Sequence, residues 1–317
     1  MIVTENLCKR YSRIEAVKDL NLNVRSGTVF GFVGENGAGK TTTLSILATL
    51  TLPTSGRAYV AGAEVTSDAP LVRKLIGYMP DEFGVYDDLT VKEYLAFYGT
   101  AYGVSNAVIE KRTKELLDMV NLSDKGDFYV NALSKGMQQR LGLARSLMHD
   151  PPVLILDEPA SGLDPRSRIE MREIIKGLRE RKKTILISSH ILPELAEMCD
   201  EIGVIQRGTL VACAGVEVVN ARVQGQRQLL IEVLSGGRRL ADDVAFREHV
   251  SDVLSCDEER IELLFSGSAE DQVELIRDLT MSGYSLKSVH EVGASLEDLF
   301  LSLTTESATG RPVSKMA

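Results

Sequence analysis

The stretch Gly34-Glu35-Asn36-Gly37-Ala38-Gly39-Lys40-Thr41 carries the residue types that bind a polyphosphate. It fits the pattern GxxxxGK[ST], in which glycines leave backbone N–H groups free to converge on phosphate oxygens. Lys40 suits neutralising the β and γ phosphates, and Thr41 offers a hydroxyl to Mg²⁺. The candidate nucleotide-binding residues here are Gly34, Asn36, Gly37, Ala38, Gly39, Lys40, Thr41 and Thr42. A second constellation lies downstream, where the apolar run Val153 to Leu156 ends in Asp157-Glu158. Asp157 suits a metal held near the phosphates, and Glu158 suits polarising a water molecule for attack. A phosphate loop alone leaves GTPases, kinases, helicases and transport ATPases open.

These residues need a scaffold, and the flanking sequence supplies one. The loop follows the strand pattern TVFGFV and precedes the apolar helix pattern TTTLSILATL, so its N–H groups add to the positive end of a helix. Val29 to Val33 reads as the strand that opens the core. From Met1 to about Arg25, apolar and polar residues alternate as in a small antiparallel sheet. Residues 87–150 carry helix-period apolar positions such as Leu116, Leu117 and Val120, which predicts an inserted helical subdomain. Strand patterns return at Val153 to Leu156, Thr184 to Ser188 and Glu201 to Gln206, separated by helices, as in a largely parallel sheet. Residues 220–226 read as a linker. Beyond it the pattern is strand (Gln228 to Leu234), helix (Leu240 to His249), strand (Asp252 to Cys256), strand (Arg260 to Phe265), helix (Glu270 to Met281) and strand (Ser285 to Val289), compatible with a small ferredoxin-like α+β domain over 227–304. That region closes on a capped amphipathic helix at Ser295 to Thr304, and residues 305–317 read as a disordered tail.

Composition narrows the classes. The chain has 317 residues, 44% hydrophobic and 26% charged, as in a soluble globular protein. Its formal net charge of −9 disfavours a polyanionic partner, so no nucleic acid is expected. The basic run Arg179 to Lys183 falls at the end of a helix pattern, where cations favour the carbonyl end and solvent. No stretch approaches the ~20 apolar residues that span a bilayer, and Met1 to Thr4 leads into a strand, so a cytoplasmic or peripheral protein is expected. Cys8, Cys199, Cys213 and Cys256 show no metal-ligand spacing and read as reduced small hydrophobes.

Leu133-Ser134-Lys135-Gly136-Met137, running into Gln138-Gln139-Arg140, resembles the LSGGQ signature of ATP-binding cassette (ABC) ATPases. Lys135 stands where the family commonly has glycine, and Met137 where it has glutamine. Ser161-Gly162-Leu163-Asp164 is similar to the family's D-loop, and His190 after Ser188-Ser189 to its switch histidine. Tyr11 matches the aromatic residue that stacks on adenine, although a plain core or surface tyrosine is a standing alternative. Asp164 before Pro165 is also a good helix N-cap. At Gly77-Tyr78-Met79-Pro80-Asp81 the family commonly ends in a glutamine that touches Mg²⁺; here Asp81 is the expected metal contact, with Glu82 as competitor.

The resemblance covers roughly residues 1–214, with the cassette expected over 1–219. It implies a P-loop NTPase core of ABC type that hydrolyses ATP with Mg²⁺. Lys40, Glu158 and His190 would be catalytic, with Thr41, Asp157 and Asp81 at the metal. Ser134 and Gly136 would complete the site of a second cassette, in a homodimer or with a close paralogue, and Asp164 would be a nucleotide-binding residue. An integral membrane permease is implied as partner, placing the chain on the cytoplasmic membrane face. The C-terminal region is similar to that of exporters of drug-like, antibiotic or polysaccharide substrates. An importer ATPase and a soluble non-transport ABC ATPase are the alternative readings.

Overall fold

The computed structural model describes residues 1–82, 84, 86, 88–216 and 227–292. The expected linker, the helix at 295–304 and the tail lie outside the described residues. The chain divides into two compact units, Met1–Val216 and Glu217–Ala317.

Three short apolar runs organise the first unit. Every residue of β3 (Val29–Val33), β7 (Val153–Asp157) and β8 (Thr184–Ser189) is buried. Continuous burial of this kind is the mark of parallel strands covered on both faces. They join β6 (Ile76–Met79), β9 (Glu201–Gln206) and β10 (Thr209–Gly215) in a six-stranded sheet of order β10-β9-β3-β8-β7-β6. All its pairings are parallel except β10 with β9. The alternating runs form an antiparallel sheet, β2-β1-β4-β5, from β1 (Ile2–Tyr11), β2 (Ile14–Val24), β4 (Ser55–Val60) and β5 (Ala63–Glu64). One core joins the sheets, with Ile2, Leu7 and Leu20 in the same buried cluster as Phe30, Phe32 and Ile155.

Parallel register brings the chemistry to one edge. Val33 pairs with Ser189, Asp157 with Ser188 and Met79 with Leu156, so the turns after β3, β6, β7 and β8 leave from neighbouring strand ends. That edge, beyond the carboxyl ends of parallel strands, is where open α/β sheets bind ligands. Among the helices, α1 (Lys40–Leu47) leaves the glycine loop directly, α2 (Ala69–Leu75) precedes β6, α6 (Pro165–Glu180) precedes β8, and α7 (Leu192–Ala196) follows it.

The helical insertion holds α3 (Val91–Ala101), α4 (Asn106–Met119) and α5 (Lys135–Ser146). It packs closely on the sheet because β6 carries Gly77, where a Cβ would stand 2.2 Å from the Ser146 carbonyl oxygen. Arg140 anchors α5: it donates to the carbonyls of Val120 (2.8 Å) and Asn121 (3.2 Å) and lies 3.2 Å from Glu170 of α6.

The second unit runs β11 (Arg227–Val233), α8 (Gly237–Val244), β12 (Val250–Cys256), β13 (Arg260–Phe265), α9 (Ala269–Met281), β14 (Leu286–Val292). Its antiparallel sheet has the order β12-β13-β11-β14, the ferredoxin-like arrangement. Leu229, Ile231 and Val233 alternate into a core with Ile261, Leu263, Leu240 and Leu279. The first helix starts earlier than the expected Leu240 and stops before His249. Gly236 enters it at φ 83, and Gly237 allows an approach to the Asp257 carbonyl that a Cβ would block at 2.2 Å.

Two expectations are corrected. The basic run after α6 is not simply solvated: Arg179 pairs with Asp200, and Lys183 reaches Asp150 (2.8 Å) and the Pro151 carbonyl (2.7 Å). Of the cysteines only Cys199 is a buried hydrophobe, whereas Cys213 and Cys256 are exposed.

Helix α9 begins with a reciprocal cap, in which Ser268 Oγ accepts from Asp271 N and the Asp271 carboxylate accepts from Ser268 N. Ser268→Ala should lower stability in urea unfolding by about 1 kcal/mol. The Ser268 N–H holds the Asp271 carboxyl below its ordinary value, so the carboxylate's share is present above the unfolded value and is lost as pH falls through the lowered one.

Candidate nucleotide site

The loop after β3 owes its shape to its glycines. Gly37 has φ +83 and Gly39 φ +109, both in the left-handed region. A Cβ at Gly39 would also stand 2.4 Å from the Ala16 carbonyl oxygen, and one at Gly34 2.4 Å from the Ile205 carbonyl oxygen. The loop therefore curls tightly against β2 and β9 and delivers Lys40 to the first turn of α1. Lys40 is 5% exposed and donates to the carbonyls of Gly34 (2.6 Å) and Glu35 (3.3 Å). Its Nζ lies 3.3 Å from Glu158 Oε1.

Ser188, opposite Asp157 in the sheet, binds the Asp157 carboxylate and the backbone of Glu158. Its hydroxyl donates to Asp157 Oδ1 at 2.5 Å and accepts from Glu158 N at 2.9 Å. Glu158 stands at φ 48, a left-handed conformation that costs a non-glycine residue of order 1 kcal/mol and persists because its surroundings hold it. That turn aims the side chain at Lys40 on one side and at His190 on the other, whose Nδ1 donates to Glu158 Oε2 at 2.8 Å.

The electrostatics follow from crowding. Burial pushes the Asp157 carboxyl up, against the pull of the Ser188 and Thr41 hydroxyls. Asp81 is raised by burial and by the charges of Asp157, Glu158 and Glu82, with Lys135 pulling the other way. Asp157 Oδ2 is buried without a hydrogen-bond partner. A buried carboxylate oxygen beside a threonine hydroxyl suits a divalent cation that completes its oxygen shell with phosphates and water. Among the described residues no group of three or more acidic, His or Cys side chains could hold a metal alone, so the donor set fits a nucleotide-borne ion.

A cleft of about 400 Å³ gathers Tyr11, Asn36, Gly37, Gly39, Lys40, Thr41, Thr42, Asp81, Glu158 and His190. Gly34, Ala38 and Asp157 are not on its wall; Asp157 lies 1% exposed at the end of β7. Glu82 does not line it either. Tyr11 is 45% exposed and carries Lys9 Nζ 4.8 Å from its ring centroid. Ile14, Ala16, Glu35 and Ser161 complete the lining without having been expected as contacts. Ile14 had a readable signal, since it pairs with Tyr11 across a tight hairpin and is 71% exposed, an apolar surface beside a ring.

Three expected residues lie away from this cleft. Ser134 caps α5, its hydroxyl accepting from Met137 N at 3.3 Å. Gly136 packs on the start of α6, where a Cβ would stand 2.4 Å from Ser167 Oγ. Asp164 is a full N-cap of α6, accepting from Arg166 N, Ser167 N and the Ser167 hydroxyl.

With this geometry in hand, similarity to known proteins is informative. The sequence profile of the family described as ABC transporter matches residues 17–161. The linearmycin resistance ATP-binding protein LnrL of Bacillus subtilis is 33% identical over 308 residues, covering 96% of this chain and 98% of the relative. The Nod factor export ATP-binding protein I of Ralstonia nicotianae is 37% identical over 321 residues, with 96% and 94% covered. A solved dimeric ATP-binding cassette in a post-hydrolysis state with ADP and Pi superposes with a TM-score of 0.63 at 27% identity, over 68% of this chain and 99% of that one. The chain thus belongs to the ATP-binding proteins of ABC transporters, an ATP-hydrolysing family.

Proposed function

We propose that this chain energises an exporter of drug-like, antibiotic or polysaccharide compounds, working as one of two cassettes bound to an integral membrane permease. The names of its relatives support export, since they include linearmycin resistance, Nod factor export and bacitracin transport proteins. Among the described residues no helix is long and apolar enough to cross a membrane, which fits attachment to the cytoplasmic face through the permease.

The observation that carries the mechanism is the chain Lys40–Glu158–His190, with contacts of 3.3 and 2.8 Å at the cleft floor. Tyr11 and Ile14 offer a flat apolar surface to adenine, and the loop N–H groups from Asn36 to Thr42 bind the phosphates. Lys40 exchanges its loop carbonyls and Glu158 for the β and γ phosphates. Glu158, released from Lys40, orients the attacking water and takes its proton, while His190 holds the carboxylate and contacts the γ-phosphate. Thr41, Asp157 and Asp81 would hold Mg²⁺, which when bound would supply positive charge beside the phosphates. Ser134 and Gly136 serve the γ-phosphate on a second cassette, with Asp164 shaping that junction.

Two measurements test this reading. Glu158→Gln should lower ATP turnover by about 100-fold or more while ATP still binds and converts the chain to a dimer in gel filtration; normal turnover in a monomer would sink it. Gly39→Ala adds strain at φ +109 and a contact with Ala16, so ATP affinity should fall about tenfold or more in equilibrium binding.

A further inference from the structure

Two positions at which the chain departs from the family pattern carry opposite charges and lie in one neighbourhood. Lys135 is the first residue of α5, directly after the Ser134 cap. Its ammonium sits over the turn at Gly162: a Cβ there would stand 2.4 Å from Lys135 Nζ, and Gly162 is at φ +65. Gly162 follows Ser161, which lines the cleft together with Asp81 and Glu158. Lys135 therefore stands at the rim of its own chain's cleft.

The same helix reaches Asp81 a second way. Gln139 Nε2 donates to the Asp81 carbonyl at 3.4 Å, and Gln139 is only 5% exposed. Asp81 lines the same cleft as Glu158, and its carboxyl is raised by burial and by the charges of Asp157, Glu158 and Glu82, with Lys135 pulling the other way. Yet among the described residues Lys135 has no carboxylate within the 4.0 Å of an ion pair. The glycine and glutamine common in the family at these positions would carry no charge at all.

We propose that Lys135 is a positioning residue acting within its own chain, shared between Asp81 and the Gly162 turn, which ties the Ser134 end of α5 to the chain's own cleft. A divalent cation arriving with nucleotide beside Asp81 carries twice the charge of an ammonium and displaces Lys135 from the acidic wall. Filling a chain's own cleft then loosens the end of α5 that the chain offers to its neighbour. The inference rests on the function proposed above and adds to it a link between the two sites of a dimer.

The experiment is a double-mutant cycle on the full chain, read by equilibrium binding of ATP with excess Mg²⁺ and with EDTA. The quantity compared is the gain in affinity that Mg²⁺ confers. Lys135→Met should raise that gain about threefold or more, because Asp81 loses its competing cation. Lys135→Arg should leave it near the wild-type value. In an Asp81→Asn background, Lys135→Met should leave the gain unchanged. An equal effect of Lys135→Met in both backgrounds overturns the proposal and assigns the lysine to a partner's phosphate or to packing alone. A wild-type chain that binds ATP while the cycle is additive sinks only this inference, whereas a wild-type chain without ATP affinity sinks the proposed function with it.

Discussion

The Ser188 hydroxyl, donating to Asp157 and accepting from the Glu158 backbone, is the contact on which the rest of the site depends. Asp157 ends a strand that is buried throughout and Glu158 follows it, and neither residue would keep its direction there without a partner. A neutral hydroxyl with one proton and free lone pairs can serve both at once. It reaches them because β7 and β8 pair in parallel with Asp157 opposite Ser188, so the catalytic geometry is set by sheet register rather than by the loops around it. The same register places the turn after β3 beside the turn after β8, which is why Lys40, Glu158 and His190 meet although they come from three separate segments.

Local pattern made some of this legible. The phosphate loop could be read because its glycines, its lysine and its strand and helix flanks are contiguous, and conformation there is decided by neighbours in sequence. The buried strands could be read for the same reason, since a run such as Val153 to Leu156 admits few other environments. Ser188 could not be assigned its task, because a serine at a strand end has many uses until the strand beside it is known. Ala16 and Ser161 were opaque on the same ground: each joins the cleft through a contact distant in sequence. The first helix of the second unit was misplaced by several residues because Gly236 and Gly237 look like a helix breaker, whereas in the fold they are what lets α8 begin against the Asp257 turn.

Asp164 and Gly136 each meet a demand made inside the chain. Asp164 is fully engaged as the cap of α6, and Gly136 is glycine in a place where the Ser167 hydroxyl leaves no room for a side chain. Both requirements arise inside one chain. Any role at a junction with a second cassette is therefore added to an internal one, and a substitution at Gly136 would disturb α5 against α6 before it disturbed a neighbour.

The anchoring of α5 by Arg140 has a mechanical consequence. Its side chain is 7% exposed, and its two terminal nitrogens serve two carbonyls at the end of α4 and Glu170 in α6. Pulling such a group loose strands a charge away from water, at a cost of about 3 kcal/mol or more. Bending at this joint is thus disfavoured over tilting as a block, so a push on the helical insertion swings the tips of α5 and α6 together, like the paired tines of a fork.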